Sequence, residues 1–249
     1  MYEKFLHNPE IEKIHGAING LYADILLGCH GRQHALTVVE TTAQVLAETG
    51  HDAQTIELGK IAALLHDIGV IAGRHKHAQK SAALARVFLE DEKMCELRNI
   101  GTRRQIPSKP GEVSCATKKP GNSCETEISG HLGEMLLQAI ADHSDGENIC
   151  SAIGAAVIIG DKTDLSKQRI FPDVTDPIYK NLRELEAVEL EIAPKMLVVN
   201  FIGTKNFDEE LFIRDYVHEY KKGYDLTKKA AKFLGMEYEF QIKRLPTAP

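Results

Sequence analysis

Five apolar stripes with helical period run through the first two thirds of the chain, and each carries or ends in an imidazole or a carboxylate. The plainest is Leu132, Met135, Leu136, Ala139, Ile140 and His143, at offsets 0, 3, 4, 7, 8 and 11. Such offsets stack along one face of a helix. His34, Val38, Thr41 and Val45 share a face of a helix expected over about Arg32 to Thr49, which Gly50 ends. Ile149, Ile153, Val157, Asp161 and Leu165 follow one another at intervals of four, which places a carboxylate on an apolar stripe. His77, Ser81, Leu84 and Phe88 do the same for a helix ending near Glu90, whereas His75 points elsewhere. The fifth stripe, IAALLHDIG, runs straight into adjacent His66 and Asp67, and Gly69 is expected to stop that helix in the left-handed conformation. A second His-Asp pair, His51-Asp52, has no apolar helix before it and reads as a solvated loop.

The 249 residues are 43% hydrophobic and 27% charged, which suits one large globular domain with a small addition. A net charge of -6 disfavours a nucleic-acid scaffold. No apolar run is long enough to span a bilayer, MYEKFLHNPE lacks a secretory pattern, and the five scattered cysteines fit a reducing cytoplasm. The expected architecture is mainly α: a helical metal-binding domain over 1–189, beginning with a helical stretch over 1–27, and a small α+β appendage over 190–249. In the appendage, Met196 to Ile202 reads as a strand, Leu211 to Leu234 as a helix, and Tyr238, Phe240 and Ile242 as a half-buried strand. Residues 91–128, rich in Gly, Pro, Ser and Lys, read as an irregular insertion. Its Arg103, Arg104, Lys109, Lys118 and Lys119 suit either a solvated loop or a lid over an anion; its cysteines lack the C-x-x-C spacing of a metal clip.

His34, His66, Asp67, His77, His143 and Asp161 therefore stand out as a set. An aspartate on an apolar stripe is costly to bury unless it is paired or metal-bound. Four imidazoles and two carboxylates exceed one ordinary zinc site and suit two metals sharing a carboxylate and a water or hydroxide. Nitrogen and oxygen donors without thiolate favour iron or manganese, with magnesium, nickel, cobalt or zinc also compatible.

The order H…HD…H…H…D at these positions resembles the HD superfamily of metal-dependent phosphohydrolases over about residues 20 to 185. RQH, ALLHDIG and H-x-x-x-S-A from His77 are similar to its local contexts. The nearest resemblance is to the YqeK-like branch of symmetrical diadenosine tetraphosphate hydrolases, through Arg169-Ile-Phe-Pro-Asp-Val174 after the last ligand. Val70 departs from the lysine common after HDIG, and neither the 91–128 insertion nor the appendage belongs to that compact pattern.

The resemblance implies a bridging hydroxide attacking phosphorus, Asp67 bridging, His34, His66 and Asp161 on one metal, and His77 and His143 on the other. Lys80, Lys162 and Arg169 are the expected phosphate contacts, and the substrate is a small phosphate ester or anhydride, foremost a nucleotide. The same ligands suit a mixed-valent di-iron oxygenase, and a non-catalytic nucleotide sensor is the third alternative. HD-GYP phosphodiesterases share the ligand order, but no Tyr-Pro follows Asp145-Gly146. A homo-oligomer is left open.

Overall fold

The computed structural model describes residues 1–21, 29–90, 125–146, 148–165, 167–170, 175–219 and 221–245. The fold is mainly α, with a small three-stranded sheet near the C-terminus. The expected N-terminal helix is two, α1 (Tyr2–Leu6) and α2 (Pro9–Leu21), because the Asn8 side chain accepts from the Glu10 and Ile11 amides and starts a new helix. Residues 22–27 of that expectation lie outside the described residues. α3 spans Arg32–Glu48, and α4 spans Ala53–Leu65. The second His-Asp pair has a structural use: Asp52 caps α4 by accepting from the Thr55 amide at 2.8 Å.

The turn that follows corrects the expected role of Gly69. α4 ends at Leu65, and Ile68–Ala72 continue as a 3-10 segment. Positive φ falls at Gly73, not at Gly69. Gly69 is required for closeness instead: a Cβ there would lie 2.2 Å from the Ser81 amide nitrogen and 2.5 Å from the His77 carbonyl oxygen. Ser81 Oγ accepts from the Gly69 amide at 2.8 Å. This contact seats the His-Asp turn on α5 (His77–Glu90).

Most of the expected insertion, 91–124, lies outside the described residues, and so do its lid cations and its cysteines. Helix α6 begins at Glu125, four residues before the expected onset, and runs to Asp142. α7 (Ala152–Thr163), capped by Ser151, is buried on nearly every side. Its apolar surface is continuous, as in a helix surrounded by others. α3, α4 and α6 pack around it. Gly160 lets α3 come close, since a Cβ there would sit 3.0 Å from the Val38 carbonyl oxygen.

The C-terminal part starts with α8 (Pro177–Leu182), capped by Asp176. β1 (Leu185–Ala193) begins before the expected boundary at 190, which therefore falls inside a strand. Its charged, alternating LEAVELEIA leaves one face to solvent. It pairs antiparallel with β2 (Met196–Gly203), and β2 pairs parallel with β3 (Glu237–Arg244). The crossover is not one helix. It comprises α9 (Glu209–Ile213), a π-helical turn (Arg214–Glu219) and α10 (Lys222–Phe233). Leu197, Val199 and Phe201 of β2 are fully buried, and Phe201 packs on Phe212 with ring centroids 4.8 Å apart. This part is docked on the helical bundle. α10 lies along α7, Leu226 fills the space beside Gly146, and one apolar cluster runs through both parts. No helix among the described residues is long and apolar enough to cross a membrane.

Candidate metal centre

All six residues singled out in the sequence, four by helical period and His66-Asp67 as a pair at a helix end, converge on one buried point. α3 delivers His34, the end of α4 delivers His66 and Asp67, α5 His77, the end of α6 His143, and α7 Asp161. They form two groups that can hold metal ions: His34, His66, Asp67 and Asp161, and Asp67, His77 and His143. Asp67 belongs to both, through different oxygens. Its Oδ2 lies 3.5 Å from His34 Nε2 and 3.3 Å from His66 Nε2. Its Oδ1 lies 3.4 Å from both His77 Nε2 and His143 Nε2. Asp161 Oδ1 joins the first group, 3.3 Å from His34 Nε2.

The opposite edges of the four rings are tied down. His66 Nδ1–H donates to the Ala63 carbonyl at 2.7 Å, His77 Nδ1–H to Arg74 at 3.0 Å and His143 Nδ1–H to Ile140 at 2.7 Å. A carbonyl only accepts, so the proton of each neutral ring is on Nδ1 and the Nε2 lone pair faces inward. His34 Nδ1 is bonded to Asp164 Oδ2 at 2.7 Å. Inside, the inward nitrogens crowd together: His34 and His66 Nε2 are 3.2 Å apart, as are His77 and His143 Nε2. Asp67 Oδ1 is buried without a hydrogen-bond partner. An inward set of acceptors with an orphaned carboxylate oxygen is satisfied by cations, so the residues present fit a metal site.

The charge balance agrees. Burial alone would raise the Asp67 carboxyl, but the surrounding imidazoles, His66 and His30 foremost, hold it well below the carboxylate range. Asp161 is held low in the same way against burial, chiefly by the Lys162 ammonium, whose Nζ is 2.5 Å from Oδ2. Burial and the Arg169 charge oppose protonation of His34. Its bonds to Asp161, Asp164 and Asp67 prevail and push it up to about 10. Donors arranged to favour a positive charge at this point are suited to a metal cation as well.

Three residues of the site were not among those expected. His30 Nδ1 lies 2.6 Å from Asp67 Oδ2 and steadies the shared carboxylate. It precedes α3, so helical periodicity says nothing about it. Asp164 orients His34, and its i+3 spacing from Asp161 is a signal that periodicity does carry. Arg74, just after the Gly73 turn, has a buried Nη1 with no hydrogen-bond partner.

A cavity of about 390 Å³ opens on the cluster at Asp67, His77 and Asp161. Arg74, Lys162, Arg169 and Lys222 line it beside the carboxylates of Asp67, Asp161 and Asp215. Of the three expected phosphate contacts, Lys162 and Arg169 are there. Lys80 does not line the cavity; its Nζ donates to the Ala72 and Gly73 carbonyls at 2.7 and 3.1 Å and closes the 3-10 turn. Arg169 Nη1–H donates to the Asp164 carbonyl at 2.7 Å, which ties it to the residue that orients His34. His75 is exposed, as its place off the α5 stripe requires. No protein-family model matches the chain, and no curated protein sequence matches it.

Proposed function

We propose that the chain is a phosphohydrolase of the HD superfamily. It would use two metal ions, iron or manganese foremost, to cleave a phosphate ester or anhydride of a nucleotide-like molecule. The observation that carries this reading is Asp67, whose two oxygens each face a separate pair of imidazoles. A carboxylate so placed suits a pair of cations rather than one.

His34, His66, Asp67 and Asp161 would hold one ion, and Asp67, His77 and His143 the other. When bound, such ions supply Lewis acidity toward a phosphoryl oxygen and a water of lowered pKa. The protein's part is positioning. The carbonyls of Ala63, Arg74 and Ile140 and the Asp164 carboxylate fix the ring planes, so no ring must reorient during a reaction. His30 holds Asp67 Oδ2. Arg74, Lys162, Arg169 and Lys222 give the cavity the cations that stabilise a developing phosphoryl charge. Leu165 and Leu182 contribute apolar wall to the cavity.

The test is phosphate release from a nucleotide panel by protein loaded with manganese or ferrous iron, with bound metal measured on the same sample. Metal-dependent release is expected. No turnover of any phosphorylated compound, with two ions shown to be bound, refutes the proposal.

A further inference from the structure

Of the four cations that line the cavity, three are engaged by the protein itself. Lys162 Nζ lies 2.5 Å from Asp161 Oδ2. Arg169 donates from Nη1 and Nε to the Asp164 and Cys29 carbonyls, and the exposed Lys222 pairs with Asp145 at 3.4 Å. Arg74 is different: its Nη1 is buried and has no hydrogen-bond partner among the described residues. Arg32 Nη1 is also buried and unpartnered, but that guanidinium is tied through Nη2 to the Leu6 carbonyl and to Glu12. The carboxylates of the cavity do not supply what Arg74 lacks. Asp67 faces imidazoles, Asp161 holds Lys162, and Asp215 is bonded to Arg214.

The backbone that carries Arg74 is fixed on both sides. Just before it, Lys80 Nζ donates to the Ala72 and Gly73 carbonyls at 2.7 and 3.1 Å. Its own carbonyl accepts from His77 Nδ1 at 3.0 Å. Left-handed backbone brackets it, at Gly73 with φ 98° and at Lys76 with φ 53°. Lys76 has a side chain and adopts that conformation at a cost, a strain that clusters at functional sites. Arg74 also borders an adjoining cavity of about 180 Å³, together with His30 and Arg169.

A guanidinium keeps its charge and only donates hydrogen bonds. A buried donor without an acceptor is costly, and the planar fork matches the oxygens of a phosphoryl group. We propose that Arg74 is the residue that grips the phosphoryl group of the substrate directly, whereas Lys162, Arg169 and Lys222 act through the protein groups they hold. The inference rests on the phosphohydrolase reading for the identity of the oxyanion.

Phenylphosphonate, which is not hydrolysed, and inorganic phosphate serve as probes. Their binding to the full-length manganese-loaded protein is measured by calorimetry, with bound manganese measured on each sample. Both should bind the parent. Arg74→Gln should weaken both roughly tenfold to a hundredfold, as loss of hydrogen bonds to a charged group does. Its manganese content should not change, because the backbone carbonyl that holds His77 remains. Lys222→Met should cost less than about threefold, since an exposed pair is screened by solvent. Should Arg74→Gln not fold, Arg74→Lys decides: the charge stays, the fork goes, and affinity should fall about threefold or more, parental affinity overturning the proposal. It is also overturned if the parent binds neither probe, or if Arg74→Gln binds them as the parent does. Loss of manganese along with affinity in Arg74→Gln, or an equal loss of affinity in Lys222→Met, overturns it too. These outcomes are independent of turnover. The expected losses without phosphate release by the parent remove the hydrolase and keep the Arg74 contact; phosphate release with unaltered binding in Arg74→Gln does the reverse.

Discussion

Replacing Asp67 with alanine should empty the two ion positions unequally. The first group would keep His34, His66 and Asp161, three of its four donors. The second would keep only His77 and His143. Removing one partner from a buried charge pair costs about 3–5 kcal/mol, or roughly two to three and a half orders of magnitude in affinity. Two imidazoles hold a divalent ion weakly after such a loss, whereas two imidazoles and a carboxylate retain some hold. Metal content at micromolar free manganese should therefore fall from about two ions per chain to one or fewer, and phosphate release should vanish. The fold should survive. The apolar cluster that joins α3, α4, α6 and α7 includes none of the ligands. His30 Nδ1 loses its acceptor and His34 loses one of three carboxylates, a cost of about 1–3 kcal/mol. The assay is elemental analysis after gel filtration, beside a circular-dichroism melt and a phosphate-release assay. His75→Ala is the control, because His75 is exposed and off the cluster. Two ions retained by folded Asp67→Ala, or one lost by His75→Ala, would refute the assignment of the ligands.

Two further outcomes follow from the packing around the site. Burial lowers the His15 pKa to about 4, and the ring bonds to the Leu64 carbonyl at 3.2 Å. Its folded pKa lies below the unfolded value, so the neutral ring's contribution is complete above about pH 6.5. As pH falls from there toward 4, on the order of 3 kcal/mol should be lost; His15→Leu should flatten that part of a urea-midpoint profile, and an unchanged acid limb would contradict it. Gly69→Ala would push a Cβ against the backbone of α5 at Ser81 and His77. A destabilisation of about 1–3 kcal/mol is expected, with preferential loss of the ion held by His77 and His143; full occupancy with parental stability would show that the turn and α5 can separate freely.

Four of the six candidate residues were legible because helical period is a local property, and His66-Asp67 because an apolar helix runs straight into them. A histidine or aspartate that recurs in step with leucines and isoleucines must face where they face, whatever the partner helices are. The same rule explains the silence about His30 and Arg74. Both sit in turns, where no period relates one side chain to the next, and only the folding of those turns beside Asp67 and the cavity gives them a place. Gly69 shows a subtler limit: its sequence context fits a left-handed helix stop, and the actual demand is the approach of α5, which lies across a turn. Lys80 shares α5 with His77, and charge alone suggested a phosphate contact. The neighbouring carbonyls of Ala72 and Gly73 instead hold its ammonium to the 3-10 turn.

The appendage divides in the same way. β2 and β3 announce themselves through apolar or alternating runs, but β1 is dense in charge, and its strand character depends on pairing with β2. The π turn has no counterpart in a helical period, because it interrupts one. The docking of α10 on α7, and with it the placement of Asp215, Phe212 and Tyr216 in the cavity beside the ligands, is a long-range event. Residues more than forty positions apart meet there through surface complementarity, and complementarity belongs to two folded surfaces together. Local chemistry along the chain determined the donors and the helices that present them; tertiary packing alone decided that Asp67 turns one oxygen to each group and that the C-terminal part supplies the wall beside them.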